Sequence, residues 1–231
     1  MLGSFHTVMN LLGCIGTLME GSGLNEILGE VYGDNAVVHM LTGKAYSRAI
    51  RGNFMVDYAL TSMLIDMIDD FAFTEEIAVL FERVTGGEEA ISDIEQNKLL
   101  HSVQQSHNEL KATLSKESRT AKLWIEYQRI VCVIRKFIRG DRLGLWDVHL
   151  EAIQEALPIF AAAGHFNYTK SAYLYQQTMN TLERTQPEVF QFFKSGGFVV
   201  RRSERHWAGI GCDLTIEQAL MRSLKPRGGL S

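Results

Sequence analysis

Proline is scarce in this chain. Only Pro158, Pro187 and Pro226 occur in 231 residues, and so few helix breakers favour helices. Cysteine is scarce too. Cys14, Cys132 and Cys212 are odd in number and far apart, and no pair has metal-site spacing. They read as reduced thiols of an intracellular protein, nuclear or cytoplasmic, and not as a disulfide framework. No run of about 18 uncharged apolar residues is present, so neither a transmembrane helix nor a membrane partner is expected. The apolar start, Met1 to Met19, lacks a basic leader and an Ala-x-Ala-like cleavage site, and so reads as a buried helix. A basic balance is missing as well: 23 basic and 27 acidic side chains give a formal net charge of -4. Dedicated DNA-binding domains are usually strongly basic, so any nucleic-acid contact must come from a local patch.

The common catalytic signatures are also missing. Thr42-Gly43-Lys44 has the end of a phosphate loop, but Val38 stands where its first glycine belongs and no strand precedes it. His101 and His107 are six apart and do not share a helix face. There is no His-Glu-x-x-His, no Cys-x-x-Cys and no Gly-x-Ser-x-Gly elbow.

What is present is a foldable chain. Hydrophobic residues make up 46% and charged residues 22%, a balance that argues against disorder. The length suits one large domain or two small ones. Phe5 to Glu20 is apolar nearly all round, as in a buried helix, and Gly13 and Gly16 imply close packing there. Gly21-Ser22-Gly23 breaks it, and Leu24 to Tyr32 forms a short helix ended by Gly33. Lys44 to about Asp70 carries a helical stripe: Ile50, Phe54, Met55, Tyr58, Met63, Leu64, Met67 and Ile68. Thr74 to Val84 follows. Ser92 to Arg119 is the most polar segment, an exposed helix or a mobile connection. Helices are then expected over Lys122–Arg139, from an Asp147 cap to Ala163 with a bend at Pro158, over Asn167–Arg184, and from Pro187 to Lys194.

After Gly196-Gly197 the pattern changes. Phe198-Val199-Val200 reads as a strand. Its backbone groups need a partner, either in a hairpin with residues 206–211 or in sequence upstream. Asp213 or Thr215 caps a last helix to Lys225, with Gln218 at capping-box distance from Thr215. The expected fold is mainly α: a multi-helix, bundle-like domain over 1–194, with 92–119 polar and exposed, then a short strand, basic loop and acidic helix over 195–231.

Two clusters can bind. Arg201, Arg202 and Arg205 beside Trp207 suit phosphate and an unpaired base, or form a solvated loop with Trp207 as a core anchor. His165 and Lys170, with Asn167 and Tyr168, could meet a phosphate backbone or brace a helix junction.

Two blocks of sequence carry a resemblance. The first is Leu2-Gly3-Ser4-Phe5-His6 with Leu12-Gly13-Cys14-Ile15-Gly16 and Gly21-Ser22-Gly23-Leu24. The second is Ala163-Gly164-His165-Phe166-Asn167-Tyr168 with Gly197-Phe198-Val199-Val200-Arg201-Arg202-Ser203, Trp207-Ala208-Gly209 and Asp213 to Gln218. Together they resemble eukaryotic mobile-element-associated proteins that look like derivatives of transposases with an RNase H-like core. In such enzymes three carboxylates hold two divalent ions, Mg²⁺ in the parent class, about 4 Å apart. A helical insertion commonly separates the second acid from the third. The resemblance implies that this chain is the insertion and end of a truncated core. Glu217 stands at the third acid, or is a first-turn glutamate favoured by the helix dipole. Ser4 stands where a Gly-Asp-x-His pattern has the second acid. A hydroxyl is no substitute for a carboxylate toward a hard cation, so the chain alone is expected to lack nuclease activity and to need no cofactor. The implied function is that of a transposase-derived fragment with weak DNA binding, partnered by DNA, another protein or the missing part of the parent. The alternative is an α-helical protein-interaction module with no nucleic-acid role.

Overall fold

A computed structural model describes residues 3–68, 71–86, 97–205 and 208–224. Among these, twelve helices and one two-stranded sheet appear, so the fold is mainly α. The helices are α1 (Ser4–Leu18), α2 (Leu24–Gly29), α3 (Asp34–Leu41), α4 (Tyr46–Asp66), α5 (Phe71–Thr85), α6 (Lys98–Glu117), α7 (Arg119–Leu143), α8 (Trp146–Ala162), α9 (Phe166–Asn180), α10 (Leu182–Thr185), α11 (Pro187–Lys194) and α12 (Cys212–Leu224). Strands β1 (Val199–Arg201) and β2 (Gly209–Gly211) lie between α11 and α12 and pair antiparallel, with Val200 opposite Ile210. The isolated Val-rich strand therefore finds its partner locally.

Two compact units arise, one of residues 1–54 and 127–231, the other of residues 55–126. In the first, α1 packs on α3, α8 and α12, α8 packs on α9 and α11, and α12 packs on both strands. Leu11, Leu12 and Ile15 of α1 meet a core that also holds Met40, Ile134, Phe137, Trp146, Phe160 and Phe198. A Cβ on Gly16 would overlap the Leu41 carbonyl oxygen, so α1 and α3 touch backbone to backbone there. At Gly13 a Cβ would find ordinary contact distances. In the second unit α5 packs on α6. No residue of α6 is buried, as its thin apolar stripe leads one to expect.

The helix expected from Lys44 to about Asp70 is α4; along its stripe Tyr58 is 76% exposed, Met55, Met63 and Met67 are exposed too, and Leu64 is buried. Helix periodicity marks an apolar face but not what covers it. Several other local expectations need correction. Asp147 lies inside the first turn of α8 and accepts from Lys194 Nζ at 2.5 Å; Leu145 holds the N-cap position without a side-chain bond. The segment expected as one helix to Arg184 is two, broken at Thr181. Asp213 does not cap its own helix, and Gln218 accepts from Arg202. Gly87, Lys225, Pro226, Gly228 and Gly229 lie outside the described residues.

Candidate functional site

The first turn of α1 exposes orphan N–H groups, and its N-cap residue Gly3 has no side chain to satisfy them. A residue 207 positions away supplies the missing acceptor. Asp213, in the first turn of α12, accepts from the backbone N–H of His6 at 3.1 Å and meets the His6 ring Nδ1 at 3.2 Å. A carboxylate only accepts, so Nδ1 carries the proton, and the negative charge also suits the helix N-terminus. The approach is close. A Cβ on Gly3 would overlap the Asp213 carboxylate, and one on Gly211 would lie 2.9 Å from both Ser4 Oγ and Asp213 Oδ1. Ser4 and the carboxylate thus face one spot. Asp213 Oδ1 is buried and, among the described residues, has no hydrogen-bond partner.

Beside this junction, Ser4, Tyr46, Asp141, Arg142 and Gly211 line a cleft of about 20 Å³, room for about one water. Burial first, then the Asp141 charge, push the Tyr46 phenol up to about 12; Arg142 opposes and Asp213 adds. Burial, Asp213 and Asp141 raise the Cys212 thiol. Two carboxylates therefore act on the same small region.

Asp141 continues inward. Its Oδ1 lies 3.0 Å from His149 Nδ1, and His149 Nε2 lies 3.3 Å from the Tyr175 hydroxyl. His149 is 1% exposed, with its ring stacked on Trp146 and close to Phe137 and Phe198. Because Asp141 must accept, Nδ1–H donates, and a neutral imidazole then accepts the Tyr175 O–H at Nε2. Burial and the Asp141 charge raise the Tyr175 phenol well above its ordinary value, which keeps it a donor. A string of polar groups thus joins α7, α8 and α9 through an aromatic core.

The residues singled out in the sequence fall in different places. Glu217 is half-buried on α12, four residues beyond Asp213 and so on the same helix face. Arg201, the last residue of β1, donates to the Leu143 carbonyl at 3.3 Å, Arg202 donates to Gln218 Oε1, and Arg201, Arg202 and Arg205 are all exposed. Trp207 lies outside the described residues. His165 instead lies against α1: its Nδ1 is 3.6 Å from Cys14 Sγ, and it lines a cavity of about 560 Å³ with Thr17, Thr42 and Leu41. Burial pushes the Cys14 thiol up to about 12, so it is no nucleophile at neutral pH. Lys170 is exposed on α9. Sequence spacing does not pick out His6, Asp141, His149 or Tyr175 as site residues. The available hint was Gly211-Cys212-Asp213, an acid directly after a strand ending in glycine.

Ser4 and His6, two apart on a helix, do not face each other, so Ser4, His6 and Asp213 do not form a hydrolytic triad. The donor set does not fit a two-ion carboxylate centre either. A hydroxyl stands at Ser4, Asp213 is engaged by His6, and among the described residues no group of three or more His, Cys, Asp or Glu is placed to hold an ion. Nor is any helix among them long and apolar enough to cross a membrane.

A family model covers residues 1–231. The chain belongs to the family described as Domain of unknown function (DUF8702). Neither the curated proteins nor the solved structures include a match to it. Family membership therefore assigns no chemistry, and the arrangement of side chains has to carry the functional reading.

Proposed function

We propose that the chain is a transposase-derived protein that keeps the helical insertion and the last core elements, binds nucleic acid weakly, and does not cleave it. The observation that supports this reading is the junction of α1 with α12. The position that the resemblance assigns to the second acid, Ser4, and the helix that bears Glu217 meet through His6 and Asp213 across 207 residues. A chain that had lost one metal-binding carboxylate from such a core would keep this juxtaposition. The exposed guanidinium groups of Arg201, Arg202 and Arg205 provide phosphate contacts. Among the described residues Arg201 and Arg202 each make one side-chain hydrogen bond, which leaves several of their five donors for phosphate.

The test has two arms. Incubated with labelled duplex DNA and Mg²⁺ or Mn²⁺, the chain leaves the strands intact. Cleavage that disappears in Glu217→Ala would overturn the account of Ser4. Conversely, Ser4→Asp restores a carboxylate facing Asp213, and its melting temperature rises with Mn²⁺ while that of the unmutated chain does not. Equal Mn²⁺ responses would remove the basis for assigning Ser4 to the lost ligand position.

A second reading, an α-helical protein-interaction module, has one specific observation in its favour. Met55, Tyr58, Met63 and Met67 of α4 present apolar side chains to solvent, and adaptable methionines suit protein contacts.

A further inference from the structure

The Tyr175 end of the buried polar string borders a groove of about 570 Å³ between α9 and α11. Helix α10 packs on both of these helices, and both pack on α8. One wall is a single face of α9: Ser171, Leu174, Tyr175 and Thr178 follow i, i+3, i+4, i+7. The other wall is Gln186, Val189 and Phe193, at i, i+3, i+7. Buried Leu182 of α10 joins the two.

Hydrogen bonds within the chain make the lining more apolar than its composition. The Tyr175 hydroxyl is turned inward to His149 Nε2, so its ring is what borders the groove. The Thr178 hydroxyl donates to the Leu174 carbonyl at 2.8 Å, which leaves its methyl group to the wall. Leu174 remains 53% exposed. No lining residue carries a formal charge. Glu183, Arg184 and Glu188 lie between the two walls in sequence, yet they are exposed and do not border the groove. The cavity beside His165 has a similar volume but is bordered by Glu20. Two polar groups interrupt the apolar surface, the Ser171 hydroxyl and the Gln186 amide. Among the described residues neither has a side-chain hydrogen bond. A few convergent polar groups in an apolar cleft of about 300–1,000 Å³ are the make-up of small-molecule sites.

Volume and charge select the occupant. Ser171 to Thr178 spans about 10 Å of helix, and a docked helix of that length, about 10 Å wide, fills about 800 Å³. It would stand partly outside the groove. A charged ligand would leave water for a lining with no opposite charge to meet it. We infer that this groove is a binding site for a neutral, predominantly apolar small molecule, held between the faces of α9 and α11 and oriented by hydrogen bonds to Ser171 and Gln186. The site goes beyond the nucleic-acid reading above and does not depend on it.

The probe is Nile red, a neutral dye whose emission rises and shifts to the blue in apolar surroundings. Titrated with the unmutated chain, it should saturate at one dye per chain. Thr178→Trp fills the groove from an exposed position, and should weaken dye binding about tenfold or more with an unchanged circular dichroism spectrum. Thr178→Val keeps the volume and should bind dye as the unmutated chain does, which separates filling from misfolding. 1-Decanol should displace the dye, and decanoate at pH 8 should need a concentration about tenfold or more higher. Ser171→Ala combined with Gln186→Leu should weaken displacement by decanol about threefold or more. An unchanged affinity would remove these two contacts from the site. Met55→Glu with Tyr58→Glu, on the exposed row of α4, should leave dye binding as it was. If that pair abolishes binding while Thr178→Trp does not, the dye reports α4 and the inference falls. Dye that never saturates, or that binds Thr178→Trp as well as the unmutated chain, overturns it too. Decanoate competing as well as decanol would overturn the neutral class of ligand. A dimer that Thr178→Trp dissociates, seen by light scattering, would give the groove to a second copy of the chain instead.

Discussion

Asp141, His149 and Tyr175 show how one buried polar string fixes the roles of its members. Asp141 accepts from His149 Nδ1–H, and Tyr175 donates to Nε2. Each deletion leaves a different orphan. Asp141→Ala strands a buried N–H, and losing a hydrogen bond to a charged acceptor costs about 2–3 kcal/mol. Tyr175→Phe strands a neutral acceptor at a longer bond, for about 1 kcal/mol. Urea denaturation should therefore rank Asp141→Ala well below Tyr175→Phe in stability, with similar slopes in denaturant. Equal losses would mean that Asp141 stabilises through packing alone. None of this was legible in the sequence. Asp141 sits beside Gly140 and reads as a helix end, and nothing in the spacing ties it to His149 across the turn or to Tyr175 on the next helix. Asp213 was visible as a helix-start acid, but the helix it serves is α1, and only the fold makes that connection.

Single elements were more legible because their signals are local. Pro187 opens α11 and Gly21-Ser22-Gly23 separates α1 from α2 at positions where the backbone allows little else. The Phe198-Val199-Val200 run foretold a strand, and its partner β2 lies within the residues expected for a hairpin. The α4 stripe located its helix but not a covered face. Tyr58, Met63 and Met67 have the period of a buried face, but burial depends on a neighbouring surface that periodicity does not encode. Gly16 was the reverse case, a helix-weakening residue whose cost implied a close neighbour. The neighbour is the Leu41 carbonyl on α3. Gly16→Ala adds a methyl that would gain about 1 kcal/mol of helix propensity. The group it must displace is backbone, however, and overpacking of this kind costs about 1–3 kcal/mol. The net effect expected is a lower melting temperature than that of Gly13→Ala, where a Cβ finds 3.7 Å of clearance. A stabilised Gly16→Ala chain would show that α1 and α3 can slide apart.

At the scale of the whole molecule, the apolar core is unevenly shared. Among the described residues, the unit of residues 55–126 buries only Val56, Leu64 and Leu80 as hydrophobic side chains, while the unit of residues 1–54 and 127–231 holds the large aromatic and aliphatic core around Phe137, Trp146, Phe160 and Phe198. Local stability follows the apolar area removed from water, so a helix that buries little opens at a lower free energy than a core helix. Helix α6 is the extreme case: it has an Asn97 cap bonded to the Leu99 N–H but no buried residue. Caps and i, i+4 pairs such as Gln105 with Glu109 contribute only tenths of a kcal/mol to about one each, too little to protect twenty residues. Buried helices α1 and α8 should open only with the first unit as a whole. Hydrogen exchange at neutral pH should therefore show amides of residues 98–117 exchanging at least about tenfold faster than those of residues 7–15 and 149–160, each tenfold step corresponding to about 1.4 kcal/mol of opening free energy. Mild urea should then remove the remaining protection of α6 before that of α8. Equal protection across these helices would mean that the unit of residues 55–126 is held by contacts its own buried side chains do not supply.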